Sequence, residues 1–403
     1  MNKNKVLVYL ESDKLSPRGG PYAVGYYYYI EMKKRGEEEF SFIPADPQRI
    51  KQFNRGQVIS SKLPNWINKI QRTVRNIIRT KRLLEGPAPS SKFDFSGYDI
   101  VHFHKTIDMF TEREQLKDFK GIVILQSHSP LPLGQETCIN MPKIEKRFIR
   151  NIEEKYEVVD RYAFDRADYI IFPCEEAEEP YHDNWSYFSD IKEKKADAFK
   201  YVTTGIDAPK INKDKETVLR ELGIAENDFI ISYVGRHNYV KGYDLLKEIG
   251  KKCLDEMDDA YCVCAGREEP YTGLDHSRWI EIGWTTDPHS YISASDVFVL
   301  PNRVTYFDIV MIEVLAIGKI VVASRTGGNK YFERMNAEGV FLYDTTDEAV
   351  EIIKRIKNMS LEERKKLENA NKDFYKKYLS VSAMYDGYIS TLKEIKGDTV
   401  LDV

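Results

Sequence analysis

Residues 228–257 read DFIISYVGRHNYVKGYDLLKEIGKKCLDEM: a short apolar run, a polar loop, and then apolar residues at helical spacing. A strand with near-continuous apolar character is typical of a parallel sheet that is covered by helices on both faces. This stretch therefore predicts one strand–loop–helix unit of a doubly wound α/β domain.

The same alternation of strand and helix continues in both directions along the chain. Further strands are predicted upstream in KVLVYLES, FSFIPA, DIVHFHK, GIVILQSHS, DYIIFP and YVTTGID, and downstream in AYCVCAGR, WIEIGW, DVFVLPN, KIVVASR and GVFLYD. A polar segment separates the two groups between about Gly205 and Phe229. We therefore expect two α/β domains, residues 1–207 and 208–380, and a C-terminal helix in 381–403 that packs on the surface or crosses back to the first domain.

Composition narrows the class of protein. The 403 residues are too many for one ordinary core, and 60 basic against 64 acidic side chains argue against a nucleic-acid-binding protein. The five cysteines are scattered, so buried reduced thiols are expected rather than a disulfide framework or a metal site. With neither a signal-like segment nor an apolar run long enough to span a bilayer, a cytoplasmic protein is expected.

One insert, residues 62–84, differs from the regular pattern. It has apolar residues at helical spacing from Trp66 to Ile78, and seven basic residues but no acid between Lys62 and Leu84. This pattern favours an interfacial helix that lies on an anionic membrane surface. A domain helix with a solvated basic face, or a helix that docks to an acidic protein, would give the same pattern.

Three segments are candidates for ligand binding, because ligands of doubly wound folds bind beyond the carboxyl ends of strands. Arg18-Gly19-Gly20 follows the first strand; it does not match GxGxxG and is either a phosphate- or sugar-approaching loop or an ordinary turn. In VGRHNYVKG, Arg236 and Lys241 are placed to clamp a diphosphate, or else belong to a solvated loop.

The third segment is the predicted helix between Asp308 and Gly318, which contains Glu313. A carboxylate one to two turns inside such a helix could accept two hydrogen bonds from a ribose diol, or could form an ordinary salt bridge. The spacing alone supports the two interpretations equally.

Taken together, these blocks resemble retaining glycosyltransferase family 4. The resemblance rests on RGG after the first strand, SHS at 127–129, TTGID at 203–207, VGRHNYVKGYDLL at 234–246, SASDVFVLP at 293–301 and IEVLAIGKIVVASRTGG at 312–328, in the order of the family. It implies the GT-B fold, two Rossmann-like doubly wound domains facing each other across a cleft. It also implies metal-independent sugar transfer from a nucleotide diphosphate with retention of anomeric configuration.

The resemblance assigns roles to individual residues. Arg236 and Lys241 match the cationic pair that stabilises the leaving diphosphate, and Gly19 and Gly20 match the loop that approaches the donor. His128 matches a histidine near the transferred sugar, and a hydrogen-bonded core histidine at the end of its strand is an equally supported alternative. His102 and His104, the two histidines of DIVHFHK, are interpreted as structural rather than as metal ligands.

Glu313 matches the second glutamate of the E-x7-E motif of the family, which holds the nucleotide ribose. Eight positions earlier the chain has Thr305 in place of the sugar-facing glutamate. Thr305 can still form a hydrogen bond, Asp308 could supply a displaced carboxylate, and the backbone amides from Phe307 to Ile309 can cradle phosphate.

The sequence thus predicts a retaining hexosyltransferase that uses a nucleotide-diphosphate sugar, a UDP-sugar rather than a GDP-sugar, with no cofactor and no metal. The acceptor is expected to be a glycan, a lipid-linked molecule or a protein, in the synthesis of cell-surface polysaccharide or glycoconjugate at the inner membrane face. A catalytically silent GT-B subunit that assists another transferase is the alternative, because Thr305 replaces a glutamate. A GT-B enzyme of another kind, such as a nucleotide-sugar epimerase, is a third interpretation.

Overall fold

The computed structural model describes residues 5–12, 20–44, 65–86, 93–149 and 151–401. The chain forms two compact units: Met1–Phe172, Tyr181–Val202 and Ser390–Val403 make the first, and Pro173–Pro180 and Thr203–Ile389 make the second. Each unit is built on a six-stranded sheet in which every pair of neighbouring strands is parallel. The prediction of an α/β fold with two doubly wound sheets is confirmed.

The sheet of the first unit has the order β2-β1-β3-β4-β5-β6. All four residues of β3 are buried, and β4 and β5 are buried from their second residue onward, because helices cover both faces. The last strand was predicted in YVTTGID, residues 201–207, but it ends at Tyr201 and begins at Phe199, and its three residues pass from buried to exposed. The strands are β1 (Val6–Ser12), β2 (Phe40–Pro44), β3 (Ile100–Phe103), β4 (Ile122–Gln126), β5 (Tyr169–Phe172) and β6 (Phe199–Tyr201).

The sheet of the second unit has the order β12-β11-β10-β7-β8-β9. The register places Val297 of one central strand opposite both Ile231 and Ile320 of its neighbours, so apolar side chains form layers across the sheet. The strands are β7 (Phe229–Val234), β8 (Ala260–Ala265), β9 (Trp279–Gly283), β10 (Val297–Leu300), β11 (Ile320–Ser324) and β12 (Val340–Tyr343).

Helices cover both sheets. Up to Lys194 the α-helices are α1 (Gly20–Arg35), α2 (Asn65–Glu85), α3 (Thr106–Thr111), α4 (Arg113–Asp118), α5 (Leu133–Asn140), α6 (Lys143–Phe148), α7 (Ile152–Arg166), α8 (Glu179–Asn184) and α9 (Ser186–Lys194). The later ones are α10 (Lys215–Leu222), α11 (Tyr243–Glu256), α12 (Pro288–Ala294), α13 (Ile309–Ile317), α14 (Lys330–Arg334), α15 (Thr346–Asn358), α16 (Leu361–Phe374) and α17 (Val381–Leu401).

The ends of several helices follow from local sequence. The Asp214 side chain accepts a hydrogen bond from the Thr217 N–H and caps α10, which ends at Gly223 with φ +68°. Ser360 and Glu363 form a capping box at the start of α16. Among the described helices none is both long and apolar enough to cross a membrane.

The cysteines lie in the cores of the two units. All five are buried and carry free thiols. Cys253, Cys262 and Cys264 pack in the cluster between the second sheet and α11 and α15. The prediction of buried reduced cysteines is therefore confirmed.

Candidate functional site

The second sheet reverses its strand order between β7 and β10, because β8 and β9 follow β7 on one side and β10 to β12 lie on the other. Open α/β sheets bind ligands beyond the carboxyl ends of the strands at such a point. The loop that follows β7, residues 235–242, contains the predicted cations, and the loop that follows β10, residues 301–308, leads into α13. The candidate site within this unit is built by these two loops and that helix.

Backbone contacts fix the loop after β7 against the loop after β10. Gly242 has φ +63°, and a Cβ at this position would lie 1.7 Å from the Pro301 carbonyl oxygen, so only glycine fits. The Arg303 N–H donates a hydrogen bond to the Val240 carbonyl at 3.0 Å. Lys241, which lies between these contacts, is therefore held by a well-defined backbone.

Lys241 and Asp308 form an ion pair at the centre of the site. The Lys241 Nζ lies 2.7 Å from both carboxylate oxygens of Asp308. The buried Asn302 amide also donates to that carboxylate. Because the two charged side chains are 21% and 18% exposed, the pair remains accessible to an anion from solvent.

Arg236 lies in the same loop, directly beyond the end of β7, and its side chain is exposed. The Tyr233 hydroxyl donates to its carbonyl at 2.9 Å, which fixes the backbone from which the guanidinium projects. Among the described residues the structure gives this guanidinium no ion pair. The structure thus brings Arg236 and Lys241 to one loop, as the sequence predicts.

The N-terminus of α13 opens at the same edge. Asp308 is the residue before the helix, and its side chain makes no capping hydrogen bond to the first turn. The first N–H groups of a helix have no intrahelical acceptor and carry a partial positive charge. The amides from Asp308 onward, including that of Ile309, therefore form with Lys241 an anion-attracting group.

The surroundings of Thr305 are not those of an exposed residue that faces a donor sugar. Its side chain is 2% exposed, and its buried Oγ1 has no hydrogen-bond partner among the described residues. Gly327 and Gly328 pack against the carbonyls of Thr305 and Tyr306, where a Cβ would lie within 2.1 Å and 1.9 Å of the oxygens. Because the Thr305 side chain is buried, a longer side chain at position 305 would require its neighbours to move.

Phe307 is fixed by aromatic packing. Its ring stacks on that of Phe332 at 5.5 Å and meets Tyr331 edge-on. The side chain thus belongs to the packed interior, and only the Phe307 backbone can contact a ligand.

Glu313 lies on the second turn of α13, and its carboxylate Oε1 is 3.2 Å from the His289 Nε2 of α12. The two side chains are 25% and 22% exposed, so the carboxylate is reachable from solvent. The sequence supported a ribose contact and an ordinary salt bridge equally as interpretations of Glu313. The structure places a histidine ring nitrogen beside this carboxylate and leaves the carboxylate accessible.

Beneath the loop lies an aromatic group that the sequence analysis missed. The His237 ring is fully buried and stacks on Tyr243 at 3.8 Å and 8°, and burial lowers the pKa of His237 to about 4. The Tyr243 hydroxyl contacts Glu281, and burial raises the pKa of that carboxyl. His237 stands beside Arg236 in VGRHNYVKG and could have been found there as a residue that supports the loop.

Glu179 is a second residue that was missed. Its Oε1 accepts a hydrogen bond from the Gly327 N–H at 3.0 Å, and its other oxygen pairs with Lys330. It lies far away in sequence, in the segment Pro173–Pro180 that belongs to the second unit, so no local pattern signals it. It holds the glycine turn that packs on Thr305.

In the first unit the histidines group together. His128 Nε2 is 2.8 Å from His104 Nδ1, and the two rings stack at 5.0 Å; the His102 ring lies 4.3 Å from that of His104. Burial lowers the pKa of His128 and of His102 to about 3 and that of His104 well below its usual range. All three are therefore neutral near pH 7.

The neutral state fixes which ring donates. His104 Nε2 is buried without a hydrogen-bond partner among the described residues. A bare ring nitrogen is cheaper to bury than an unpaired N–H, so the His104 proton belongs on Nδ1, which then donates to His128 Nε2. His128 carries its own proton on Nδ1. The sequence analysis interpreted His104 as structural and missed this contact.

The start of α1 lies in the same unit. Gly20 is the first residue of α1, so the predicted glycine-rich turn ends there, while Gly19 lies outside the described residues. Lys105, directly after His104, contacts the Tyr22 hydroxyl with its ammonium 4.2 Å from the ring centre. Within the described ranges, no group of three or more His, Cys, Asp or Glu side chains is arranged to hold a metal.

Comparison with known proteins bears on the second unit most directly. Residues 214–374 match the family model described as Glycosyl transferases group 1. The UDP-Gal:alpha-D-GlcNAc-diphosphoundecaprenol alpha-1,3-galactosyltransferase of Escherichia coli is 28% identical over 176 residues, 39% of this chain and 44% of that protein. The D-inositol 3-phosphate glycosyltransferase of Geodermatophilus obscurus is 28% identical over 161 residues, 35% and 36% of the two chains. The chain thus spans less than half the length of these curated relatives.

Solved structures extend the likeness in fold to the whole chain. Alr3699/HepE of Anabaena, in complex with UDP, aligns with a TM-score of 0.58 at 15% identity over 97% of this chain and 100% of that one. Sucrose-phosphate synthase from Thermosynechococcus elongatus aligns with a TM-score of 0.61 at 14% identity over 98% and 100%. These neighbours are GT-B glycosyltransferases, and the predicted GT-B fold is confirmed.

Proposed function

We propose that the protein is a retaining, metal-independent glycosyltransferase that moves a hexose from a nucleotide-diphosphate sugar, a UDP-sugar, to an acceptor hydroxyl. One observation carries the proposal: Lys241 lies beside the open N-terminus of α13, at the strand-order reversal of the unit that matches the group 1 model. A diphosphate is the ligand that an accessible ammonium and free helix amides suit best.

Lys241 and Arg236 would stabilise the leaving group. As the bond between sugar and diphosphate breaks, negative charge grows on the departing phosphate, and cations already in position stabilise that charge without reorganising. The ammonium of Lys241 would exchange part of its contact with Asp308 for a phosphate oxygen. Arg236, whose guanidinium is exposed, can bind two oxygens at once.

The remaining contacts follow from the chemistry of the donor. The Glu313 carboxylate can accept both hydroxyls of the ribose once it turns from His289. The backbone amides from Phe307 to Ile309 would cradle phosphate, and Thr305 would contact the donor through its backbone or through a small movement of its buried hydroxyl.

For the first unit, we assign to His128 the place near the transferred sugar. Its Nδ1–H, fixed by the bond to His104, could donate to a sugar hydroxyl. We assign to Gly19 and Gly20 the close approach of backbone to the donor, because Gly20 begins the 16-residue helix α1, whose N-terminus attracts anions.

For the acceptor we propose a glycan, a lipid-linked glycan or a protein, in the building of cell-surface polysaccharide or glycoconjugate on the cytoplasmic face of the membrane. The Escherichia coli relative supports a lipid-linked acceptor, since its name specifies a diphosphoundecaprenol substrate. Nucleic acid is not proposed as a partner, because the chain carries a net charge of -4.

The test is a donor panel. Purified protein is incubated with UDP-, GDP- and dTDP-sugars, and slow donor hydrolysis and thermal stabilisation are followed. A UDP-sugar should stabilise the protein and be hydrolysed, and R236A and K241A should each lower the rate at least 100-fold, about 2.7 kcal/mol of lost transition-state stabilisation. The matched control K365A, at an exposed lysine of α16, should keep the parent rate.

Two outcomes would contradict the proposal. Near-normal rates in R236A or K241A would refute the leaving-group assignment. If the protein binds a donor but neither hydrolyses it nor transfers its sugar to extracts that contain candidate acceptors, the silent GT-B subunit is favoured. That alternative is motivated by Thr305, which is buried and stands in place of the sugar-facing glutamate.

A further inference from the structure

Helix α2 exposes a row of large aliphatic side chains. Ile70, Val74 and Ile78 are spaced four residues apart, so they lie along one side of the helix, and they are 55%, 49% and 53% exposed. Single exposed apolar residues are ordinary on protein surfaces, whereas a continuous row marks a surface that contacts something apolar.

This row is not the side by which α2 attaches to its unit. Ile77, Leu83 and Leu84 pack against the core cluster that contains Ile149 and Tyr156. The interpretation of the insert as a helix that covers the core is therefore correct for one side of α2. The row from Ile70 to Ile78 is a second apolar side, which the core does not use.

The side of α2 next to the exposed row is basic. Arg72, Arg75, Arg79 and Arg82 follow one another at spacings of three and four residues, which places them on one side of the helix, and all four are exposed. An exposed apolar row that runs beside a row of arginines is the arrangement of a helix lying in the plane of an interface.

Helix α6 lies beside α2 and exposes a second group of apolar and basic side chains, which the sequence did not indicate. The Asn76 side chain of α2 donates a hydrogen bond to the buried Glu145 of α6 at 3.2 Å, so the two helices lie side by side. Ile144 and Phe148, one turn apart on α6, are 55% and 57% exposed. Three further exposed cations belong to this short helix: Lys143, Lys146 and Arg147.

The charge of the two helices is strongly one-sided. Residues 65–85 and 143–148 contain nine basic residues and two acids. Both acids are already engaged, Glu145 with the amide of α2 and Glu85 with Lys155. Glu153 and Glu154 at the start of α7 are the nearest exposed acids in sequence and leave the surface with a large positive excess.

We propose that these residues, the α2–α6 surface, bind the face of an anionic lipid bilayer, with Ile70, Val74, Ile78, Ile144 and Phe148 at the level of the acyl chains and the cations among the headgroups. Charge complementarity selects this occupant: a nucleic acid would meet the cations but leave the aliphatic row in water, whereas a lipid surface satisfies both. The inference does not depend on which sugar or acceptor the protein uses.

Flotation with lipid vesicles tests the proposal on the full chain. Phosphatidylcholine vesicles with and without phosphatidylglycerol are compared at low and at high salt. The protein should float with the anionic vesicles only and be released by salt, because a cation near such a surface contributes about a five-fold gain in partitioning that salt screens. R75Q/R79Q/R82Q should weaken binding on the order of 100-fold on the same basis.

The apolar half of the surface needs its own variant. I70Q/I78Q/F148Q should lower binding to anionic vesicles by at least about 10-fold, because large apolar side chains then no longer enter the bilayer. Two control variants lie at exposed positions of α16 and of the turn after it, and both should bind like the parent. K365Q/K366Q/K377Q also removes three positive charges, and L361Q removes one large exposed apolar side chain.

The proposal is overturned if the parent protein does not float, which would mean that another segment of the chain or an acidic protein covers the surface. Equal flotation of the arginine variant and its control would also overturn it, and so would tighter retention on double-stranded DNA than on vesicles. Far-ultraviolet circular dichroism of each variant identifies any loss of binding that comes from unfolding.

Discussion

Replacement of Asp308 by asparagine should tighten, not weaken, the binding of UDP. The Asp308 carboxylate has both oxygens 2.7 Å from the Lys241 Nζ and so neutralises the cation that we assign to the diphosphate. D308N removes the negative charge and keeps an oxygen that can accept from Asn302. The variant thus changes the electrostatics of the site with little change in shape.

The size of the effect follows from Coulomb's law. For a partly exposed site with an effective dielectric constant of about 40, a carboxylate ~6 Å from one phosphate charge repels it by about 1.4 kcal/mol. That energy corresponds to about a 10-fold change in Kd, and a diphosphate carries more than one charge. We therefore expect D308N to bind UDP about 10-fold more tightly at an ionic strength of ~0.1 M, with a smaller gain at high salt.

Isothermal titration of UDP into four proteins measures this: the parent, D308N, K241A and the double variant. K241A should bind UDP more weakly than the parent, and D308N should partly restore binding in its background. D347N, which removes an exposed carboxylate paired with Lys252, should leave the Kd unchanged. Weaker UDP binding by D308N would refute the reasoning and show that Asp308 acts chiefly by holding Lys241 in place.

Three further predictions concern stability. T305V should be as stable as the parent or more so in urea unfolding, since it removes a buried hydroxyl without a hydrogen-bond partner, whereas T305E should lose several kcal/mol; equal stability of the two would contradict the burial of Thr305. G242A should lower the free energy of unfolding by at least about 2 kcal/mol, because position 242 has a positive φ and the added Cβ would clash with backbone. G283A, where φ is also positive but the space around it is open, should lower it by about 1 kcal/mol. Equal losses would contradict the close approach of Gly242 to the Pro301 carbonyl. Because the folded pKa of His128 is about 3, below its ordinary 6.5, the stability it contributes is complete above pH 6.5 and is lost as the pH falls towards 3. Between pH 6.5 and pH 5 the free energy of unfolding of the parent should thus fall by up to about 2 kcal/mol more than that of H128Q, and H104L should lessen this difference. Parallel curves of unfolding free energy against pH for the parent and H128Q would exclude a neutral buried His128.

The sequence predicted the fold because the α/β pattern is local. Runs such as VFVL and IVVAS predict buried parallel strands. Glycines such as Gly318 mark the ends of helices, where φ is positive. The strand β6 was misplaced because it is an edge strand of three residues, of which Lys200 is partly exposed and Tyr201 is exposed, so it lacks an apolar run. In YVTTGID, Gly205 instead packs on the backbone of Ser380, far away in sequence.

The site was predictable only in part, for a related reason. The loop with Arg236 and Lys241 follows from its position after a strand, but the partner of Lys241 is 67 residues away and no local pattern specifies it. Likewise, nothing near Thr305 reveals that a glycine turn held by Glu179 covers it. Contacts that depend on which loops meet above the sheet require the three-dimensional structure.

The most direct test of the account is a crystal structure of the protein with UDP. We predict the diphosphate within about 3 Å of the Lys241 ammonium and the Arg236 guanidinium, at the N-terminus of α13, with both ribose hydroxyls on the Glu313 carboxylate. A diphosphate bound elsewhere, or a Glu313 still paired with His289 while UDP is present, would contradict it.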